Sequence, residues 1–179
     1  MKKIIKAAVL GCTGYTGLKL IEILNKHPNV IIKFLGSESY SGEHINKFDS
    51  KLKNVSLPKL NLIKNINFSE VDVVFFALPS NVSQSIIKDH FGKSIFIDLS
   101  ADFRFDNSIN YKNTYKIKHQ CPSFLKNFVY GLPEINYKII QKSKNIALPG
   151  CYPTSVLLPL IPLLENRLIL SKNIIIDSK

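Results

Sequence analysis

Two short stretches hold residues whose types and spacing suit chemistry. One is Leu148-Pro149-Gly150-Cys151-Tyr152-Pro153-Thr154, where a cysteine follows a Pro-Gly turn and precedes an apolar run of helical character. A thiol at the open start of a helix meets unpaired N–H groups and the positive end of the helix dipole, both of which favour negative charge. Thiolate rather than thiol is the nucleophile, so this is a position from which a carbonyl carbon can be attacked. The stretch alone leaves two roles open for Cys151, nucleophile or buried small hydrophobe. The other stretch is Gly11-Cys12-Thr13-Gly14-Tyr15-Thr16-Gly17, spaced G-x-x-G-x-x-G. Glycines there let backbone N–H groups approach a pyrophosphate that rests on a helix N-terminus. Gly11, Thr13, Gly14, Tyr15, Thr16 and Gly17 are therefore candidate dinucleotide contacts, and Cys12 a space-filler within the loop.

The flanking elements support that reading. Residues 3–10 have the apolar run of a buried strand, Leu18, Leu20, Ile21, Ile23 and Leu24 supply a helical apolar face that ends at His27-Pro28, and residues 30–35 form a second strand. After it comes Gly36-Ser37-Glu38-Ser39-Tyr40-Ser41-Gly42. Ser37 and Ser39 suit a ribose 2′-phosphate, whereas Glu38 is the carboxylate type that binds a 2′-hydroxyl, so NADP(H) is preferred and NAD kept open. A strand over 71–77 runs into Leu78-Pro79-Ser80-Asn81, a helix is expected over 83–90 and another strand over 94–98. Alternating strands and helices predict an α/β fold, a Rossmann-like doubly wound parallel sheet whose ligands lie beyond the carboxyl ends of the strands. Ala77 and Pro79 occupy that edge as cofactor contacts, and Ser100 and Arg104 as substrate contacts. Arg104 suits a carboxylate or phosphate, although its position alone also allows an ion pair with Asp102 or Asp106.

Other expectations are structural. Residues 43–67 read as an irregular excursion with one or two strands, and 107–118 as a polar loop. Residues 128–134 lead into a helix reaching about Lys142, and 145–147 form a strand. The apolar run 155–164 contains Pro159 and Pro162, which predicts a helix kinked or restarted near Pro159. Ile174-Ile175-Ile176 reads as a strand. The division expected is a dinucleotide-binding domain over 1–147 and the incomplete start of an α+β catalytic, dimerisation-type domain over 148–179, in a truncated chain.

Composition excludes several classes. The 179 residues are 45% hydrophobic and carry a formal net charge of +11, but arginine occurs only at Arg104 and Arg167. The lysines are scattered and no basic cluster is interleaved with aromatics, which argues against nucleic acid. No apolar run reaches the ~20 residues of a membrane span. The basic, then apolar, N-terminus leads into a glycine turn and not a cleavage site, so a cytoplasmic protein is expected. Cys12, Cys121 and Cys151 form no C-x-x-C pair and imply neither a disulfide framework nor a metal site.

Taken together, Gly11-Cys12-Thr13-Gly14-Tyr15-Thr16-Gly17, Asp98-Leu99-Ser100-Ala101-Asp102-Phe103-Arg104, Tyr130-Gly131-Leu132-Pro133-Glu134 and Leu148-Pro149-Gly150-Cys151-Tyr152-Pro153-Thr154 resemble the N-acetyl-gamma-glutamyl-phosphate reductase family of the semialdehyde dehydrogenase superfamily. Ser155 departs mildly from the smaller residue usual in that family. The resemblance implies NADPH-dependent reduction of N-acetyl-glutamyl 5-phosphate to the 5-semialdehyde, with inorganic phosphate released, in arginine biosynthesis. It implies Cys151 as the acyl-accepting thiol, Arg104 as a substrate contact and a homo-oligomer at full length. The family's acid/base histidine comes from a later region, and none of His27, His44, His90 and His119 matches it, so no turnover is expected of these 179 residues alone. The alternatives are a related acyl-phosphate reductase of carrier-linked lysine biosynthesis and a non-catalytic dinucleotide-binding or redox-sensing module.

Overall fold

The computed structural model describes residues 3–177. Seven strands, β1 (Ile5–Leu10), β2 (Val30–Gly36), β3 (Leu60–Asn61), β4 (Val73–Phe76), β5 (Ile95–Asp98), β6 (Val129–Tyr130) and β7 (Asn145–Ala147), form one sheet in the order β3-β2-β1-β4-β5-β7-β6. Every pairing is parallel. Helices α1 (Tyr15–Asn25), α2 (Val82–His90), α3 (Ser108–Tyr115), α4 (Pro133–Ile140) and α5 (Cys151–Glu165) lie between or after the strands.

Side-chain alternation shows why the sheet is covered on both faces. On β1, Ala7 and Val9 pack with Ile21 and Leu24 of α1, together with Leu35 and Val73. Ala8 and Leu10 point the other way, toward Ile87 of α2 with Val74, Phe76 and Phe96. Successive residues of a strand face opposite sides, so α1 and α2 sit on opposite faces and the central strands turn apolar residues toward both. Full burial of a side chain such as Ile21 or Ile87 stabilises by ~1.5–3 kcal/mol. The chain runs outward from β1 through β2 to β3, then returns to β4 on the other side of β1. That reversal opens a crevice at the carboxyl ends of β1 and β4.

Three expectations are corrected. Residues 108–115 are helix α3 and not loop: the Asn107 side chain accepts from Asn110 N–H (2.9 Å) at the N-cap, and Tyr111 is the single buried anchor. One apolar contact in two turns leaves no periodicity to read. Helix α5 runs as one element through Pro159 and Pro162, so of the two forms expected there, kinked or restarted, the restart is excluded. Residues 174–177 form no strand. An apolar triplet becomes a strand only beside a pairing edge, and Ile175 is 94% exposed. The 43–67 excursion consists of 3-10 turns and the two-residue β3.

Candidate dinucleotide cleft and cysteine site

The glycine loop joins β1 to α1 and is held by backbone contact. Gly11 has φ +79°, its N–H donates to Gly36 O (2.9 Å), and a Cβ there would stand 2.2 Å from Ala77 O. Only glycine permits both the left-handed backbone and that approach. A Cβ on Gly17 would lie 2.4 Å from Gly11 O, so the third glycine lets α1 press against the loop. Gly14 differs. It is the N-cap of α1 with φ −74°, and a Cβ there would meet nothing nearer than Gly11 O at 3.6 Å. No side chain caps α1, so its first N–H groups are open, as an anion requires.

Above this loop lies a cleft of about 960 Å³. Gly11, Thr13 and Gly14 line it from the loop, Ser37, Glu38 and Ser39 from the exit of β2, and Ala77, Leu78 and Pro79 from the exit of β4. Tyr15, Thr16 and Gly17 are not on its lining. Tyr15 is 90% exposed, while Gly17 is buried in packing. Ser37 is buried, with its hydroxyl 3.4 Å from that of Thr13 and its N–H donating to Asn61 O (2.9 Å). Glu38 Oε1 accepts from Ile63 N–H (3.2 Å). Ile63, Lys64, Ile66, Val82, Ile86 and His90 complete much of the wall. Sequence reading missed them because half come from the aperiodic 43–67 excursion, and the others from the cleft-facing side of α2. The residues present fit a dinucleotide: open N–H groups for the pyrophosphate, hydroxyls at the ribose position and an apolar wall for a base.

Cys151 is the first residue of α5, and α5 has no side-chain cap. Among the three free cysteines it alone is exposed. Burial pushes the Cys12 thiol up to about 12 and the Cys121 thiol up to about 11, so neither forms thiolate near neutrality. The turn before Cys151 is fixed from two sides. Leu148 N–H donates to Asp98 O (2.7 Å), and Thr154 closes the helix start with both N–H and Oγ1 on Gly150 O (3.0 and 2.8 Å). Arg104 donates through Nε to Leu148 O (2.8 Å) and through Nη2 to Leu99 O (3.2 Å). A Cβ on Gly150 would sit 3.1 Å from Arg104 Nη1. The guanidinium thus ties the loop after β5 to the turn carrying the thiol. Neither Asp102 nor Asp106 pairs with it.

Ser100 is buried and its hydroxyl is committed inside its own loop. It donates to Asp98 Oδ2 (2.8 Å) and accepts from Asp102 N–H (3.1 Å). Burial raises Asp98 to about 6, against the opposing effect of its two Ser100 hydrogen bonds. Asp102 accepts from Asn81 N–H at 2.9 and 2.8 Å and lies 3.1 Å from the Tyr111 hydroxyl, which accepts from Gln84 Nε2 (2.9 Å). His119 places Nε2 2.9 Å from Asp102 O, accepts from Cys121 N–H at Nδ1 (3.1 Å), and is lowered by burial. Both ring nitrogens are thereby engaged, which fixes the neutral tautomer. This network joins the exits of β4 and β5. The only prior sign of it was polar residues inside otherwise apolar segments.

Comparison with known proteins gives a family and a fold. The family described as semialdehyde dehydrogenase, NAD binding domain, matches residues 6–143. The chain is 44% identical to an N-acetyl-gamma-glutamyl-phosphate reductase of Ehrlichia canis (strain Jake), over 98% of this chain and 51% of that protein. It is 44% identical to the one of Brachyspira hyodysenteriae, over 98% and 52%. A probable chloroplastic relative of the same name in Arabidopsis thaliana is 39% identical, over 99% and 44%. The chain thus spans about half the length of the curated relatives it matches. Aspartate semialdehyde dehydrogenase II of Vibrio cholerae, complexed with ASA, shares the fold with TM-score 0.65 and 20% identity, covering 91% of this chain and 47% of that one. Aspartate semialdehyde dehydrogenase of Candida albicans, with NADP, gives TM-score 0.58 and 22% identity, over 92% and 48%. The chain belongs to the semialdehyde dehydrogenase family, whose NAD-binding domain it carries.

Proposed function

We propose that this chain is the dinucleotide-binding and acyl-accepting part of an NADPH-dependent reductase that converts N-acetyl-glutamyl 5-phosphate to N-acetyl-glutamate 5-semialdehyde, a step of arginine biosynthesis. The observation that carries the reading is the placement of Cys151. It is the sole exposed thiol, it opens a fifteen-residue helix, and it shares the carboxyl edge of the sheet with the cleft. Three strand spacings separate β1, which leads into the glycine loop, from β7, roughly 14 Å, a span that one bound dinucleotide can bridge from the loop toward the thiol.

In this reading Cys151 Sγ attacks the acyl carbon, the carbon–oxygen bond to phosphate breaks, and phosphate departs with the electron pair, leaving a thioester. Open N–H groups at the start of α5 are placed to stabilise the oxyanion of the tetrahedral intermediate. A dinucleotide held in the cleft would supply the hydride that reduces the thioester carbon. The tetrahedral alkoxide then attached to Cys151 collapses, its carbon–sulfur bond breaks, and thiolate is regenerated as the aldehyde leaves. Arg104 acts here mainly by fixing the Leu148–Cys151 turn, with Nη1 left to face substrate. Gly11, Thr13 and Gly14 cradle the pyrophosphate, Ser37 and Ser39 the ribose, and Ala77 and Pro79 border the path toward Cys151. Residues 148–177 belong with a second unit, since no residue of α5 is buried. Its exposed apolar side chains, Tyr152, Leu158 and Leu163 among them, support a homo-oligomeric whole protein. Among the described residues no helix is long and apolar enough to cross a membrane. Three cysteines without a disulfide fit a reducing, cytoplasmic setting.

The test is differential alkylation followed by peptide mapping. Cys151 reacts with iodoacetamide at least ~100-fold faster than Cys12 and Cys121, whose buried thiols stay protonated, and acyl phosphate protects it. Three equally slow thiols would instead indicate a non-catalytic dinucleotide-binding module.

A further inference from the structure

The cleft offers a ligand one long cationic side chain. Among the residues that line it, Lys64 is the only lysine or arginine. Its ammonium makes no hydrogen bond or ion pair among the described residues. Lys64 sits in the 3-10 turn Ile63–Asn65, immediately after β3. β3 and that turn are each fastened to the exit of β2 by one hydrogen bond. Ser37 N–H donates to Asn61 O (2.9 Å), and Ile63 N–H donates to Glu38 Oε1 (3.2 Å). Asn61 Oδ1 then accepts from Leu62 N–H (2.9 Å) and Asn65 Nδ2 (2.7 Å), which bracket Lys64 and hold the turn's shape.

A dinucleotide whose pyrophosphate rests on the Gly11–Gly17 loop brings its adenosine ribose to the end of β2. Ser37 and Ser39 line the cleft there. Glu38 is the residue type that would accept from a free 2′-hydroxyl, but its Oε1 already accepts from Ile63 N–H. We propose that Lys64, reaching in from the turn after β3, is the specificity-determining residue of this cleft: its ammonium pairs with a 2′-phosphate on the ribose, while Ser37 and Ser39 donate hydroxyl hydrogen bonds. A lysine acts on phosphate as a point charge, so its removal takes away phosphate affinity and leaves adenosine contacts intact. Glu38 Oε1 thereby helps to position the selecting turn. The inference rests on the dinucleotide reading of the cleft.

The experiment uses the 179-residue protein and measures binding, not turnover. NADPH, NADH, adenosine 2′,5′-bisphosphate and AMP are titrated against the parent, Lys64→Ala and Lys64→Arg by calorimetry. Lys64→Ala weakens NADPH and the bisphosphate about 10- to 100-fold and leaves NADH and AMP within about 2-fold, whereas Lys64→Arg retains the phosphate preference. Equal loss for both members of each pair, or unchanged NADPH affinity in Lys64→Ala, overturns the assignment. A parent that binds neither dinucleotide overturns the cleft reading and the role of Lys64 together. A parent that binds both equally well overturns Lys64 alone.

Discussion

Gly11 and Gly14 stand three residues apart in one loop, and the structure assigns them opposite sensitivities to the same substitution. Gly11→Ala forces a left-handed φ of +79° on an L residue, which costs about 1–2 kcal/mol. Its methyl would also lie 2.2 Å from Ala77 O, about an ångström inside contact distance. Relief requires the exits of β1 and β4 to part, and the bond from Ala77 N–H to Leu10 O (2.8 Å) lies in that path. Losing it costs ~0.5–1.5 kcal/mol, and overpacking adds a comparable amount. The expected loss is about 3 kcal/mol or more, which for a chain of this length lowers Tm by roughly 6–12 °C. Gly14→Ala meets no such obstacle. Its φ is −74° and its nearest neighbour is 3.6 Å away. The weaker N-cap preference of alanine is offset by the smaller entropy of the unfolded chain, leaving stability within about 0.5 kcal/mol. The methyl does occupy the floor of the cleft, where pyrophosphate must touch backbone, so NADPH affinity falls about 10-fold or more. Thermal melts and NADPH titrations of both variants form the assay. The reasoning is refuted if Gly11→Ala melts within 2 °C of the parent, or if Gly14→Ala binds NADPH undiminished.

Other consequences follow from the buried polar groups. Asp98, raised to about 6 from 3.8 by burial, holds its proton more tightly when folded. Its contribution to stability is therefore present below about pH 3.8 and lost as pH rises through about 6, a span worth ~3 kcal/mol. Asp98→Asn cannot ionise and gains on the parent by up to ~3 kcal/mol between pH 4 and pH 7.5 in urea denaturation; a pH-independent difference contradicts this. Arg104→Met removes both guanidinium bonds to Leu148 O and Leu99 O, costing ~1.5–3 kcal/mol and slowing alkylation at Cys151, whereas an unchanged alkylation rate would deny its hold on the turn. Tyr111→Phe leaves Gln84 Nε2 and Asp102 short of a partner and destabilises by ~1–3 kcal/mol, measured as a lower midpoint in urea.

Much of this architecture was legible because β1, α1, β2, β4 and β5 carry their own periodicity, and Gly11, Gly14 and Cys151 stand beside turn signals. What escaped notice depends on partners distant in sequence. Tyr111 anchors α3 through Asp102, Asn81 and Gln84, and none of those contacts leaves a local pattern. The triplet Ile174-Ile175-Ile176 has strand propensity but no edge to join. Arg104 was read as a substrate contact or as an ion-pair partner of nearby aspartates, whereas its Nε and Nη2 bond to main-chain carbonyls, one of them 44 residues away. Lys64, a lysine in a lysine-rich, aperiodic segment, carries no signal in sequence until β3 fastens that segment to β2.

The central claim is that Cys151 accepts an acyl group from an acyl phosphate. It is tested most directly by incubating the protein with freshly prepared N-acetyl-glutamyl 5-phosphate, quenching in acid and mapping the modified peptide by mass spectrometry while phosphate release is followed. One acyl group on Cys151, with one equivalent of phosphate released and neither in Cys151→Ser, is the predicted result. Phosphate release without an adduct on Cys151, or acylation spread over several lysines and persisting in Cys151→Ser, would contradict it.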